Sequence, residues 1–199
     1  MAAQIQLSII TATWQRPKSL AGLLASVSRQ SLGNLKIEHI VVSDGPDAVS
    51  AALLNQSATR YLELESNQGN FGAAAKDLGI RAAKGEYVCF WDDDNLYEAH
   101  AAAALFSAAS GFDLGIVQAE HWSVTRKRYV TIPAGWDGTV KPGQIDTMCL
   151  CVRKSVAEKS AWHQPPQGRG TDHRWLSRLL EHQPTVHFVP VTIGKHLTF

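Results

Sequence analysis

Long hydrophobic runs are missing from this chain of 199 residues. None approaches the roughly 20 consecutive apolar residues that a membrane-crossing helix needs. The apolar stretch near the start is interrupted by Thr11, Thr13 and Gln15 and has no basic leader before it, which is not the layout of a secretory signal. The expected location is the cytoplasm. An excess of either charge is missing too: 19 Lys+Arg against 18 Asp+Glu leave a formal +1, so no overall field draws the chain to nucleic acid or to an anionic membrane. Any anion it binds must be caught locally. Cysteine is scarce. Cys89, Cys149 and Cys151 are odd in number, apolar in context and without CxxC spacing, so neither a disulfide framework nor a zinc set is expected, only reduced and buried side chains.

What the chain does have is 45% apolar residues, enough for one substantial core. A single domain over residues 1–199 is expected, with a regular front half to about 110 and a less regular back half from 111. In the front half, short apolar runs alternate with longer periodic segments. The runs Leu7–Thr11, Ile37–Ser43, Tyr61–Leu64 and Tyr87–Trp91 read as strands, and Pro17–Gln30, Ala48–Gln56, Phe71–Ala83 and Glu98–Ala109 as helices. Pro17 suits a first helical turn, where its missing N–H costs nothing. Strands separated by helices call for parallel crossovers, so the fold class is α/β with a mostly parallel open sheet flanked by helices. Such sheets bind ligands beyond the carboxyl ends of their strands. In the back half, Leu114–Gln118, Arg128–Ile132, Thr147–Val152 and Val186–Val191 are strand-like, and a helix is expected from Asp172 to Glu181 after the loop QPPQGRG.

The loops at those carboxyl ends carry the chemistry. Asp92-Asp93-Asp94-Asn95 follows the fourth strand directly, and three successive carboxylates repel unless a cation offsets them. Oxygen ligands suit Mg²⁺ or Mn²⁺, which keep positions open for substrate phosphates. Helix capping alone would need only one such residue. Asp44 ends the second strand before a Gly45-Pro46 turn, where it can accept an N–H from a base edge or bond its own backbone. Asn67-Gln68-Gly69 leads toward a helix bearing Lys76, and a helix start offers free N–H groups to an anion.

The run Thr11-Ala12-Thr13-Trp14-Gln15-Arg16-Pro17, then Val41-Val42-Ser43-Asp44-Gly45-Pro46, then Asn67 and Gly69 followed by Gly79-Ile80, Gly85-Glu86-Tyr87-Val88 and Asp92-Asp93-Asp94, resembles the inverting family-2 glycosyltransferases of glycosyltransferase-A fold. The similarity is dense over residues 5–98 and thins to Gly170-Thr171-Asp172-His173 and a late histidine. It implies a transferase moving a sugar from a nucleotide diphosphate, UDP-sugar favoured, to an acceptor hydroxyl on a saccharide or lipid-linked glycan, with Mn²⁺ or Mg²⁺. It also implies roles for individual residues: Thr11, Thr13, Arg16, Asp44, Asn67, Gly69, Lys76, Asp92 and Asp93 at the nucleotide, Asp94 and His196 on the metal, and Asp172 as general base. Two registers fit a DxD-type motif here, Asp92 with Asp94 and Asp93 with Asp94.

Asp172 is equally placed to cap a helix, and Glu120, Asp137 and Asp146 are the other carboxylates that could serve as base. His39, His100, His121, His163, His182 and His187 lack paired ligand spacing and are expected to be structural, and His173 cannot aim at the same atom as its neighbour Asp172. Of Trp122, Trp136 and Trp162, one could stack on an acceptor sugar. Arg81 and the run Arg126-Lys127-Arg128 read as solvated surface. A nucleotidyltransferase would carry a glycine-rich, lysine-containing loop after strand one, where TATWQRP stands instead. A noncatalytic nucleotide- or carbohydrate-binding subunit is the other alternative, and a second copy or a partner subunit could complete the acceptor side.

Overall fold

The computed structural model describes residues 4–55, 57–164, 168 and 170–197. Gln56, where the second helix was expected to end, and residues 165–167 and 169 of the loop before Asp172 lie outside them. β1 (Leu7–Thr13), β2 (Ile37–Ser43), β3 (Arg60–Glu63) and β4 (Tyr87–Phe90) are parallel and ordered β3-β2-β1-β4. α1 (Pro17–Ser28), α2 (Ala48–Leu54) and α3 (Ala73–Ala82) are the crossovers. β1 and β4 are almost wholly buried because helices cover the sheet on both faces, which is why their sequences run apolar instead of alternating. Close packing of α3 on β1 depends on Gly79, where a Cβ would collide with Ile10. The chain steps from β1 to one side and returns on the other with β4, so the switch in strand order falls between β1 and β4.

The back half extends the same sheet and makes it mixed. β5 (Leu96–Tyr97), α4 (Ala101–Ala109), β6 (Leu114–Ser123), β7 (Arg128–Ile132), β8 (Leu150–Arg153), the short α5 (Lys154–Ala157), α6 (Thr171–Glu181) and β9 (Val186–Lys195) complete the order β3-β2-β1-β4-β8-β6-β9-β5, with β7 pairing the C-terminal half of β6, past the residues that β8 pairs. β8 runs antiparallel to both β4 and β6, whereas β9 is parallel to β6. The front half is therefore parallel as expected, and the antiparallel joints come from connections that lack a helical crossover. One consequence positions the site: the C-terminal ends of β4, β6 and β9 and the N-terminal end of β8 share one edge. Beneath it, Trp162 and Trp175 stack at 4.2 Å and Phe90 packs edge-on to both. Each such pair adds about 0.5–1.5 kcal/mol beyond simple burial, fixing α6 against β4.

Cys89, Cys149 and Cys151 are free and buried, as expected. Among the described residues no helix is long and apolar enough to cross a membrane.

Candidate functional site

A cavity of about 440 Å³ opens over the β1/β4 switch, lined among others by Thr13, Arg16, Asp44, Asn67, Lys76 and the three aspartates Asp92, Asp93 and Asp94. Its floor is tied across the sheet by Thr13, whose hydroxyl donates to Asp93 Oδ2 at 2.6 Å. Arg16 spans two carboxylates, with Nη1 2.9 Å from Asp93 Oδ1 and Nη2 2.5 Å from Asp94 Oδ2. Lys76 is buried, yet its Nζ reaches Asp92 Oδ1 at 3.3 Å and sits over the Trp162 ring. Asp93 and Asp94 thus share Arg16 while Asp92 turns to Lys76, and the chain's own cations offset all three. Burial raises the Asp93 carboxyl to about 6, against the pull of the Thr13 hydroxyl and Arg16, with Asp94 and Asp92 adding to the rise.

Asp44 does not form the self-contained turn that its neighbours allow. Its Oδ1 accepts the Gln68 N–H at 3.0 Å, and Asn67 Nδ2 donates to its backbone oxygen at 2.8 Å and to Oδ2 at 3.3 Å. This clasp needs Gly45 (φ +124), because a Cβ there would sit 2.8 Å from Asn67 N. The loop continues through Gly69, Asn70 and Phe71, all with positive φ, so α3 begins at Ala73 and not at Phe71. Strain of that kind persists only where neighbours fix it, and Asn70 Oδ1 accepts the Gly168 N–H at 2.8 Å. The exposed Phe71 ring lines this cavity and the next one.

That second cavity, about 180 Å³, shares Phe71, Lys76, Asp92 and His196 with the first and adds Asp146, Thr147, Trp162 and Asp172. Asp172 is the second residue of α6, and the cap position belongs to Gly170 in a left-handed conformation, so Asp172 is not the capping residue. At the shared sheet edge His121, Asp146 and His196 offer one ligand atom each within 4.8 Å of one another. Among the described residues this is the group that could hold a metal ion. Asp146 is buried, and burial raises its carboxyl above the ordinary range, Asp92's charge adding to the rise and His196 opposing it.

Most of the residues singled out from the sequence meet here: Thr13, Arg16, Asp44, Asn67, Gly69, Lys76, Asp92, Asp93, Asp94 and His196 all line the larger cavity. Thr11 does not. It lies one side-chain repeat deeper on the same strand face, fully buried, with its hydroxyl 3.0 Å from His39 Nε2. The metal pair also divides: Asp94 is turned onto Arg16, while His196 stands with His121 and Asp146. His121, expected from its spacing to be structural, stands beside Asp146 and His196 in this group. Sequence reasoning also missed Asp47, which caps α2 through Ser50 and accepts the Gln15 N–H at 2.8 Å, setting the loop that carries Arg16. Its signal was the Asp-x-x-Ser spacing at a helix start. Of the tryptophans, Trp162 is core, Trp122 packs on Tyr129, and Trp136 lines a separate cavity of about 380 Å³ with Asp137, Thr139 and Lys141.

Residues 8–156 match the family described as glycosyl transferase family 2. The chain is 33% identical over 95 residues to the uncharacterized glycosyltransferase YwdF of Bacillus subtilis, covering 47% of this chain and 34% of that protein. It is 26% identical over 136 residues to a cholesterol galactosyltransferase of Borreliella burgdorferi, covering 64% and 37%. Among solved structures, residues 1–349 of S. aureus TarS in complex with UDP superpose with a TM-score of 0.73 at 15% identity, covering 98% of this chain and 61% of that one. The mannosyltransferase PcManGT of Pyrobaculum calidifontis, in complex with GDP-Man and Mn²⁺, gives 0.66 at 14%, covering 98% and 57%. The chain thus spans about a third of the length of these curated relatives, and at such low identity the structural likeness establishes a shared fold.

Proposed function

The chain belongs to glycosyl transferase family 2, and on that premise we propose that it is a metal-dependent inverting glycosyltransferase using a nucleotide-diphospho-sugar, UDP-sugar favoured. The observation that carries this reading is the continuity of the two cavities. Asp44, Arg16 and Asp93 line the larger, Asp172 lines the smaller, and Lys76, Asp92 and His196 line both. A nucleotide in the larger cavity would present its base to the Asp44 clasp and its ribose to Asp93. Its diphosphate would lie toward Arg16 and Lys76. That direction leaves the sugar's anomeric carbon facing the smaller cavity.

In that arrangement Asp172 takes the proton from an acceptor hydroxyl as its oxygen bonds to the anomeric carbon. The bond to the diphosphate oxygen breaks on the opposite face, and inversion follows from the single displacement. A divalent ion such as Mn²⁺ or Mg²⁺ would offset charge on the leaving diphosphate. Asp94 and His196 face the cavity that would receive it, and the donor set of carboxylates and imidazole suits such an ion. Asp94 becomes free to reach it once a diphosphate draws Arg16 away, because that guanidinium is substantially exposed. Lys76, held under the site by Asp92 and Trp162, supplies fixed positive charge. The cavity around Trp136 suits an acceptor saccharide or lipid-linked glycan, since an indole offers a face for stacking and Asp137, Thr139 and Lys141 offer polar contacts. We take residues 1–199 as one transferase domain, with acceptor binding completed by these loops, a second copy or a partner subunit.

The test is to incubate the protein with UDP-, GDP- and dTDP-sugars, with metal or chelator, and to measure nucleotide release alongside calorimetric UDP binding. Metal-dependent release from one donor is expected. Absence of binding by all three nucleotides overturns the reading, and binding without release under any acceptor supply favours a noncatalytic subunit.

A further inference from the structure

We propose that His121, Asp146 and His196 form a preorganised site for a divalent transition-metal ion, one that loads without nucleotide and prefers Zn²⁺, Co²⁺ or Mn²⁺ to Mg²⁺. The Nε2 atoms of His121 and His196 lie 3.9 and 3.8 Å from Asp146 Oδ2. Those separations are too long for hydrogen bonds. Two ligands sharing an ion at about 2.0–2.2 Å stand roughly 3.0–3.4 Å apart, so each His–Asp edge needs to shorten by about half an ångström, within a set whose ligand atoms all lie within 4.8 Å of one another.

The far sides of His121 and Asp146 are already committed, as metal ligands require. His121 Nδ1 lies 3.3 Å from the Trp122 carbonyl, a contact that puts the proton on Nδ1 and leaves the Nε2 lone pair facing Asp146. Asp146 Oδ1 accepts the Met148 N–H at 2.9 Å, leaving Oδ2 for the ion. His196 is fixed by its backbone N–H on Glu120 O at 2.8 Å, and its ring stacks on His121 with centroids 4.4 Å apart.

Three protein ligands leave coordination positions open, the pattern of a catalytic and not a purely structural ion. They open where it matters, since His196 lines both cavities and Asp146 lines the smaller one beside Asp172. Two imidazoles make the site softer than an aspartate pair, hence the metal preference. The purpose of the ion rests on the transferase reading, but its binding does not, and Asp94 then serves as a further ligand that joins with the nucleotide.

Metal-free protein titrated with Co²⁺, Zn²⁺ and Mg²⁺ in the absence of nucleotide, followed by visible Co²⁺ absorption and calorimetry, tests this. One equivalent of Co²⁺ or Zn²⁺ should bind with imidazole-type absorption, and Mg²⁺ should bind more weakly. Asp146→Asn and His196→Gln should each weaken Co²⁺ by about tenfold or more, with far-ultraviolet circular dichroism unchanged, while Asp94→Asn retains it. Asn at 146 can still accept the Met148 N–H, and His196→Gln gives an independent reading should the first variant misfold. No binding of Co²⁺ or Zn²⁺ without nucleotide overturns the proposal, as does loss of Co²⁺ in Asp94→Asn with retention in Asp146→Asn and His196→Gln. Neither result touches UDP binding, which tests the transferase reading separately.

Discussion

Replacing Asp172 by asparagine separates chemistry from scaffold in a way few substitutions in this site would. Asp172 occupies the second position of α6, and the left-handed Gly170 precedes the helix as its cap, so the carboxylate is not needed to satisfy an orphan N–H. Its surroundings in the smaller cavity include Asp92 and Asp146. Two contributions of the charge to stability therefore oppose: attraction to the helix N-terminus of about 0.3–1 kcal/mol, and repulsion from the nearby Asp146. The melting temperature should move by no more than a few degrees, as about 1 kcal/mol implies. Turnover should fall by roughly 10²- to 10⁴-fold, the span of general base catalysis, or about 2.7–5.5 kcal/mol of barrier. Transfer measured at saturating donor, with UDP calorimetry and melting on the same preparation, decides it. UDP affinity should be little changed, because Asp172 does not line the nucleotide cavity. Near-normal transfer would refute the assignment and move the search to Asp146, Glu120 and Asp137.

UDP should bind more tightly with Mn²⁺ than in chelator, since carboxylates facing the diphosphate need a cation between them; equal affinity in both removes the metal from the mechanism. Gly45→Ala should cost about 1–3 kcal/mol of stability, because its φ of +124 and a Cβ 2.8 Å from Asn67 N leave no unstrained alternative. By displacing the Asp44 clasp it should also weaken UDP about tenfold or more, and wild-type calorimetry would mean the clasp does not read the base. His39 is held near a pKa of about 4 by burial, below its ordinary 6.5. A neutral imidazole is thus built into the fold, and its stabilising contribution is full above pH 6.5 and is lost as pH falls toward 4, about 3 kcal/mol in all. Urea denaturation of wild type and His39→Gln at pH 7 and pH 4.5 checks this: the variant should lose less between the two, and equal losses would contradict it.

The front half was legible because its local signals agree. β1, β2 and β4 are apolar runs too short for helices, separated by segments whose apolar residues recur at helical spacing, and Pro17 marks the start of α1. Site residues on the loops that follow were legible for the same reason: once strand ends are placed, Asp44 and Asp93 must sit at the sheet's carboxyl edge. Errors arose where depth or partner choice decided. Thr11 and Thr13 share a strand face, and the sequence does not say which reaches the edge and which meets His39. Likewise three adjacent aspartates look alike in sequence, yet backbone direction sends one to Lys76 and two to Arg16.

The group at His121, Asp146 and His196 could not have been found by any spacing rule, because topology alone assembles it. In an α-helix or a hairpin, ligands recur at fixed short separations, and a motif can be written. Here the register of β6 and β9 pairs Glu120 with Lys195, so the next residue on each strand, His121 and His196, must be neighbours. β8 lies on the other side of β6 and runs the opposite way, so the turn that enters it brings Asp146 to the end at which β6 and β9 leave. Asp146 spends one carboxylate oxygen on capping that turn, which fixes the other toward the two rings. The inference from sequence to such a site must therefore pass through strand order. A late histidine gains meaning only when its strand is known to lie parallel to a particular neighbour, and changing that register by one residue would put His121 and His196 on opposite faces of the sheet.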